Sequence, residues 1–201
     1  MQNISFEKNL LVGKDILLEP FCIHHYELLR DAANDPRIWV YMPMQADDLF
    51  YDSWFQDCLM KQLSGKQITY VIKRKKDEVL IGCRAYYDIE LSHKKLEVGY
   101  GWLTPSAWGT TTNHECLLLL FQNAFEEWGF NRIQIATDPR NTKNYNTLKK
   151  LGITQEGILR QHMIHHNGAM TDTALFSVLA EEWPRVKNAW EARLNKVKEY
   201  R

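Results

Sequence analysis

The chain has 201 residues, of which 45% are hydrophobic and 25% charged, and these proportions are ordinary for a globular protein. Its 25 lysines and arginines balance its 25 aspartates and glutamates, which argues against nucleic acid or an anionic membrane as the main partner. No apolar run approaches the ~20 residues that a membrane span needs. We therefore predict a single soluble domain over residues 1–201, with no nucleic acid and no membrane as partner.

The four cysteines indicate a reducing cellular compartment. Cys22, Cys58, Cys83 and Cys116 are far apart and form no CxxC pair, a spacing typical of reduced thiols and not of a zinc site or a disulfide framework. The segment that opens the chain lacks a basic start followed by a long apolar run, so we do not expect a signal peptide. These features predict a cytoplasmic protein.

The first half of the chain predicts a short strand, two helices and then three strands. Ile16–Pro20 is rich in β-formers, and a helix over Ile23–Asn34 ends before a proline. A second helix and the three strands are expected over Asp47–Leu63, Gln67–Lys73, Val79–Glu90 and Leu96–Leu103. Gly99 and Gly101 interrupt the third of these strands, which favours either a bulge or the close approach of another backbone or a ligand.

The strongest helical pattern follows. Apolar residues recur with helical spacing from Leu117 to Trp128 and predict a stripe that packs on a sheet. Thr112 and Glu115 fit a capping box at the start of this helix, and Gly129 fits its end.

The last 70 residues predict a strand, a short helix, a hairpin and a C-terminal helix. The short helix is expected to begin at Asp138-Pro139 and to run through Lys150, with Gly152 stopping it. The C-terminal helix has an apolar side that runs from Trp183 to Val197. The strands are expected over Arg132–Thr137, Gln155–His166 and Met170–Leu179, with an Asn167-Gly168 turn between the last two. This order predicts the α/β class, with helices on the faces of a mixed sheet.

The turn Trp108–Asn113 (WGTTTN) joins the glycine-interrupted strand to the long helix. Free N–H groups and about half a positive charge at a helix N-terminus favour a phosphate group. The hydroxyls of Thr110, Thr111 and Thr112 are further donors. The alternative is a capped helix start that binds no ligand.

Several motifs follow one another in a fixed order. WGTxxN precedes an apolar helix, TDxRN precedes a helix that ends in LG, and EGxLR, an H-M/N-G hairpin and EW come after them. In this order and spacing the chain resembles the GNAT superfamily of acetyl-CoA-dependent N-acetyltransferases, and within it the branch that includes ribosomal-protein N-terminal acetyltransferases. The resemblance covers about Ile16 to Leu194 and is strongest from Trp102 onward.

The resemblance implies a GNAT-like fold, in which a central twisted mixed sheet carries helices on both faces, and acetyl-CoA as cosubstrate with no metal. It also implies that Val98–Leu103 splays from Arg132–Thr137 and that pantetheine lies in the gap. A backbone amide near Val98 or Tyr100 would polarise the acetyl oxygen. The residues implied in cofactor binding are Val98, Trp102, Trp108, Gly109, Thr110, Thr111, Thr112, Asn113, Asn141 and Asn144.

Two positions depart from the pattern of this branch, and a third lacks a residue found in other branches. Thr111 replaces a glycine of the pyrophosphate turn, so either the turn stays in an allowed backbone region or cofactor binding is weakened. Asn144 stands where this branch has a serine near the leaving thiol, and asparagine donates a hydrogen bond but is no general acid. Leu148 stands where other branches carry a tyrosine acid.

Glu97, Tyr100 and Asn144 are the candidate catalytic residues. Glu97 begins the splayed strand and is the first candidate for a general base; the alternative is a solvated surface glutamate. Tyr100 is either a substrate contact or a packed side chain. Trp39 and Tyr41, beside a Met-Pro pair, are candidate substrate contacts.

A metal site is not expected among the histidines. On a strand, His162 and His166 share a face but lie ~13 Å apart, and His165 points to the other face.

The leading hypothesis is acetyl transfer to the α-amine of a protein or peptide N-terminus. One alternative is the same reaction on a small amine, a polyamine or an antibiotic, for which Asp47, Asp48 and Asp52 offer an acidic surface. The other is an acyl-CoA sensor with little turnover. The chain is expected to act as a monomer or a homodimer.

Overall fold

An eight-stranded mixed sheet forms the centre of the protein in the residues described. The structure, a computed structural model, describes the backbone of residues 9–199 and the side chains of residues 9–196. Two predictions fall partly outside the described residues. One concerns residues 1–8, where no signal peptide was expected, and the other concerns the side chain of Val197.

The strands run in the order β1-β2-β3-β4-β5-β6-β8-β7. Their bounds are β1 Leu11–Val12, β2 Ile16–Pro20, β3 Gln67–Arg74, β4 Leu80–Glu90, β5 Lys95–Leu103, β6 Arg132–Thr137, β7 Thr154–Ile164 and β8 Met170–Leu179. Neighbouring strands are antiparallel except β5 and β6, which form the one parallel pair among the described strands. A mixed sheet was predicted, and it is confirmed.

Five α-helices flank the sheet in the part of the chain described. They are α1 Tyr26–Ala33, α2 Tyr51–Leu63, α3 Thr112–Gln122, α4 Thr142–Lys150 and α5 Trp183–Glu199, and a π turn over Asn123–Glu127 extends α3. No helix among the described residues is long and apolar enough to span a bilayer.

Two apolar cores lie on the two faces of the sheet. On one face α3 and α5 pack through Phe121 and Trp190, whose ring centroids are 5.2 Å apart. On the other face α1 and α2 enclose Phe21, Trp54 and Phe55. Each core buries several aromatic side chains, and such burial is the main favourable contribution to folding. Helices on both faces of the sheet agree with the predicted fold class.

Glycines end two helices and form one hairpin as predicted. Gly129 and Gly152 have φ values of +66° and +73°, and Gly168 in the Asn-Gly turn has +80°. These left-handed values are unfavourable for other residues, which explains why glycine stands at each position.

The capping box predicted for Thr112 and Glu115 is wrong. Thr111 precedes the helix and its side chain caps nothing, while Glu115 is buried. The Glu115 carboxylate instead accepts hydrogen bonds from the backbone N–H groups of Lys14 and Asp15, the latter at 3.0 Å. Glu115 therefore joins α3 to the turn between β1 and β2.

The predicted start of the helix at Asp138-Pro139 is also wrong. The Asp138 side chain accepts the backbone N–H of Arg140 at 2.8 Å and so forms a turn of its own. Helix α4 begins three residues after Pro139, where Asn141 is the N-cap and accepts the N–H of Asn144 at 3.1 Å.

We predict that Glu115→Ala lowers the free energy of unfolding by about 2–3 kcal/mol, because two backbone donors lose an ionised acceptor. Chemical denaturation measures the change. Glu127→Ala is the matched control, because Glu127 is exposed near the end of the same helix and its loss is expected to cost less than about 0.5 kcal/mol. Equal effects of the two substitutions would contradict this role of Glu115.

Candidate active site

The parallel pair β5–β6 opens into a fork. Lys95–Glu97 pair with Arg132–Gln134, and beyond this point the ladder between the two strands ends. The splay that the resemblance implied is thus confirmed. A cleft of about 1210 Å³ occupies the opening, and both strands line it together with the Trp108 turn, the start of α4 and segments of β7 and β8.

A bulge in β5 lies along the cleft. Cys83 pairs with Trp102 and Ala85 pairs with Gly99, so one residue of β4 stands opposite two residues of β5. Tyr100 takes the left-handed conformation there, with φ +46°. The predicted bulge is confirmed, but it is a tyrosine and not a glycine that carries the unfavourable backbone angle.

The two strand glycines make room for side chains of β4. A Cβ at Gly99 would lie 2.7 Å from Cε1 of Tyr87, and a Cβ at Gly101 would lie 2.6 Å from Cζ of Arg84. The expected close approach is therefore made by side chains and not by another backbone. Tyr87 and Arg84 were missed in the sequence, where the glycines two positions apart were the one signal of them.

Glu97 lies at the point where the fork opens. It is 6% exposed, and its carboxylate accepts hydrogen bonds from the Tyr87 hydroxyl and, at 2.8 Å, from Nε2 of Gln134. Burial raises the pKa of Glu97 above its usual range, and the two hydrogen bonds oppose that shift. The alternative of a solvated surface glutamate is therefore wrong.

Tyr100 lies beside this carboxylate network. Its ring centroid is 4.5 Å from that of Tyr87, and burial raises the pKa of both tyrosines. Both side chains are thus held neutral at physiological pH, and both line the cleft.

The Trp108–Asn113 turn lies at the other end of the cleft. Gly109 has φ +75°, whereas Thr111 has φ −72° and ψ −11°, an ordinary right-handed helical conformation. Of the two alternatives, an allowed backbone is therefore the correct one. The Thr112 side chain is buried and does not line the cleft, which contradicts its prediction as a cofactor contact through the hydroxyl.

Cations surround this end of the cleft. The ring of Trp108 has Lys143 Nζ at 5.2 Å and Arg37 Cζ at 5.8 Å from its centroid. Arg84, Lys150 and Arg193 line the same cleft. His114 adds no charge at neutral pH, because burial lowers its pKa to about 4.

Helix α4 and its N-cap contribute two asparagines, Asn141 and Asn144. Both line the cleft. Asn144 donates from Nδ2 to Oγ1 of Thr137 at 2.9 Å, so its amide is tied to the end of β6. Leu148, one turn later, is buried at 1% exposure and belongs to the core.

Trp39 and Tyr41 differ in their positions. Trp39 is 1% exposed, donates from Nε1 to the Ala33 carbonyl at 3.0 Å and packs against Trp102. It does not line the cleft, which contradicts its prediction as a substrate contact. Tyr41 is 41% exposed and lines the cleft. The Trp102 side chain belongs to the same core as Trp39, so the backbone of Trp102 is the part that it offers to a ligand.

The histidines have separate partners. Nε2 of His165 is 3.6 Å from Oδ2 of Asp138, and Nδ1 of His162 is 3.1 Å from Oγ1 of Thr173. Among the residues described, no three His, Cys, Asp or Glu side chains come together as metal ligands.

Comparison with known proteins finds relatives that are described as N-acetyltransferases. N-acetyltransferase YoaA of Bacillus subtilis, itself uncharacterised, is 29% identical over 112 residues, 56% of this chain and 62% of that protein. A putative ribosomal N-acetyltransferase of the same organism, YdaF, is 28% identical over 53% of this chain and 57% of its own length. The matches thus span less than two thirds of these two relatives.

A solved structure extends the likeness over nearly the whole chain. A putative acetyltransferase from T. thermophilus is 30% identical, has a TM-score of 0.82 and covers 94% of this chain and 98% of its own. The acetyltransferase (GNAT) domain family matches residues 15–154. The forked sheet and the helix-start turn are thus found in a chain that belongs to the GNAT acetyltransferase family.

Proposed function

We propose that this protein transfers the acetyl group of acetyl-CoA to a primary amine, with the α-amine of a protein or peptide N-terminus as acceptor. One observation carries the proposal: a buried carboxylate and a cationic helix-start turn lie along the same cleft, between two parting strands. Membership of the GNAT family supports the reaction class.

The residues at the cationic end fit the phosphates of the cofactor. The turn presents the first N–H groups of α3, and Thr111, Asn113 and Arg84 line the cleft beside them. Strand β5 has no partner on its β6 side beyond Glu97 in the described strands, so its backbone groups are available to the pantetheine amides.

Acetyl-CoA supplies an activated thioester, and the chain supplies position, a base and hydrogen-bond donors. A backbone N–H of β5 near Val98 or Tyr100 donates to the acetyl oxygen, where negative charge develops. Glu97 removes a proton from the attacking amine, directly or through water, and its raised pKa makes it a stronger base than an exposed glutamate.

Asn144 is assigned a hydrogen-bonding role at the leaving sulfur. Its amide nitrogen already donates to Thr137, so it lies fixed beside the cleft and supplies no proton of its own. A thiolate is a fair leaving group at neutral pH, because thiol pKa values lie near ~8.5. The reaction therefore proceeds without a dedicated acid.

An α-amine needs the least help from the protein. At pH 7 roughly a tenth of an α-amine of pKa ~8 is neutral, against well under a thousandth of a lysine amine of pKa ~10.4. The likeness to a protein described as a ribosomal N-acetyltransferase supports this acceptor class.

The small-amine alternative loses part of its basis. Asp47, Asp48 and Asp52 do not line the cleft, and Asp52 accepts hydrogen bonds from Tyr26 and Arg30 on the surface. The sensor alternative loses the strain at Thr111 that favoured it. Four free cysteines support the further proposal of a reducing, cytoplasmic location.

We expect Glu97→Gln to lower kcat about 100-fold or more at pH 7, because the general base is lost. In the natural protein kcat falls as the pH drops through the raised pKa of Glu97. In the variant the pH profile of kcat loses this fall, and only the dependence set by ionisation of the acceptor amine remains. Assays of thiol release across pH measure both. Glu90→Gln, an exposed glutamate at the far end of β4, is the control and should match the natural protein.

A panel of acceptors tests the substrate class. With acetyl-CoA as donor, peptides with a free N-terminus should give a kcat/KM at least tenfold above that of the same peptides blocked at the N-terminus but carrying lysine, and above that of spermidine. Thiol release measures the rate. Preference for spermidine would establish the small-amine alternative, and CoA binding without turnover on any acceptor would establish the sensor.

Two substitutions test the backbone of the turn Trp108–Asn113, which we call the phosphate turn. Thr111→Gly should lower the free energy of unfolding by about 0.5–1 kcal/mol and should not tighten CoA, since it adds freedom to a residue that is not strained. Gly109→Ala should cost about 1–2 kcal/mol, because its φ of +75° disfavours a Cβ. Chemical denaturation and calorimetry with CoA measure these effects. Tighter CoA binding by Thr111→Gly would show that the threonine strains the turn.

A further inference from the structure

Arg84 extends from β4 beneath the start of α3. Its Nη2 donates to Oδ1 of Asn113, the last residue of the phosphate turn, at 2.7 Å. Its Nε is buried and has no hydrogen-bond partner within the part of the chain described. The side chain lines the cleft. A guanidinium thus lies against the turn with donor capacity unused.

The charge of Arg84 is not neutralised by any carboxylate of the described residues. Carboxylates pair with five other arginines, namely Arg30, Arg37, Arg74, Arg132 and Arg140. Arg84 has no such ion pair among the described residues. Its neighbour Cys116 stays a neutral thiol, because burial raises the pKa of Cys116 to about 11 although the nearby guanidinium opposes that shift. A part-buried cation without a counter-ion is costly, and a bound anion removes that cost.

The adjacent strand is shaped to hold this side chain. A Cβ at Gly101 would lie 2.6 Å from both Cζ and Nε of Arg84. The φ of Gly101 is not among the positive ones, so backbone conformation does not require glycine there. The space for the guanidinium does require it.

We propose that Arg84 is a side-chain ligand of the cofactor's diphosphate, and that it selects donors that carry a diphosphate over those that end at pantetheine. This inference rests on the proposed function for the identity of the ligand. A planar guanidinium matches two phosphate oxygens, and it supplements the backbone donors of a turn in which Thr111 stands in the place of a glycine. Gly101 then has a role in recognition through the space that it leaves for the guanidinium.

Arg84→Met and Gly101→Ala test the proposal in two ways, since one removes the guanidinium and the other displaces it. Calorimetry should show that CoA and dephospho-CoA each bind about 10- to 100-fold more weakly to both variants. For Arg84→Met, the kcat/KM for S-acetylpantetheine, which has no diphosphate, should change less than about threefold. Arg84→Lys keeps the charge without the fork and should recover part of the affinity. Lys66→Met, an exposed lysine outside the cleft, is the control.

Several outcomes would overturn the assignment. An equal loss with CoA and with S-acetylpantetheine would show a purely structural role. Unchanged CoA affinity would refute contact with the cofactor, and a loss confined to CoA and absent with dephospho-CoA would place Arg84 at the 3′-phosphate. If Arg84→Met does not fold, Arg84→Lys carries the comparison with S-acetylpantetheine, and Gly101→Ala carries the measurement of CoA affinity. Failure of the proposed function is separate, because it appears as CoA binding by the natural protein without turnover of any amine.

Discussion

The parting of β5 from β6 is the constraint on which the site depends. Parallel strands normally continue their ladder, but here it stops after Glu97 and Gln134. Strand β5 then bulges at Tyr100, whereas β6 stays paired along its whole length with β8. Backbone groups that would have satisfied each other across the sheet are left for a ligand, and a buried carboxylate marks the place where the strands separate.

Strand β4 contributes side chains from both faces of the sheet to the cleft between β5 and β6. Tyr87 passes beneath Gly99 and reaches Glu97, whereas Arg84 passes beneath Gly101 and reaches Asn113. The two glycines therefore separate two chemical environments along one strand: a buried carboxylate that accepts two hydrogen bonds, and a guanidinium with no carboxylate partner among the described residues. Successive side chains of β4 and β5 alternate between faces, which is why one strand pair can supply both.

Local patterns were sufficient to predict most of the fold. The apolar stripe of α3, the Asn167-Gly168 hairpin and the strand bounds follow from spacings within a few residues of each other. The errors involve partners that are distant in sequence. Glu115 has the spacing of a capping box, but its partners Lys14 and Asp15 lie about a hundred residues away. Trp39 is an aromatic residue of a type common in binding sites, yet it is buried because α2 and β5 pack around it. For the same reason Tyr87 and Arg84 left no signal of their own.

The link from Glu115 to the β1–β2 turn also bears on the order of folding. Asp15 and Glu115 are separated by 100 residues, so closing this contact in an otherwise unfolded chain carries a large loop entropy. We therefore expect this contact to form late in folding, after α3 has docked on the sheet. The edge strand β1 is only two residues long, so its anchoring then depends on a helix far along the chain.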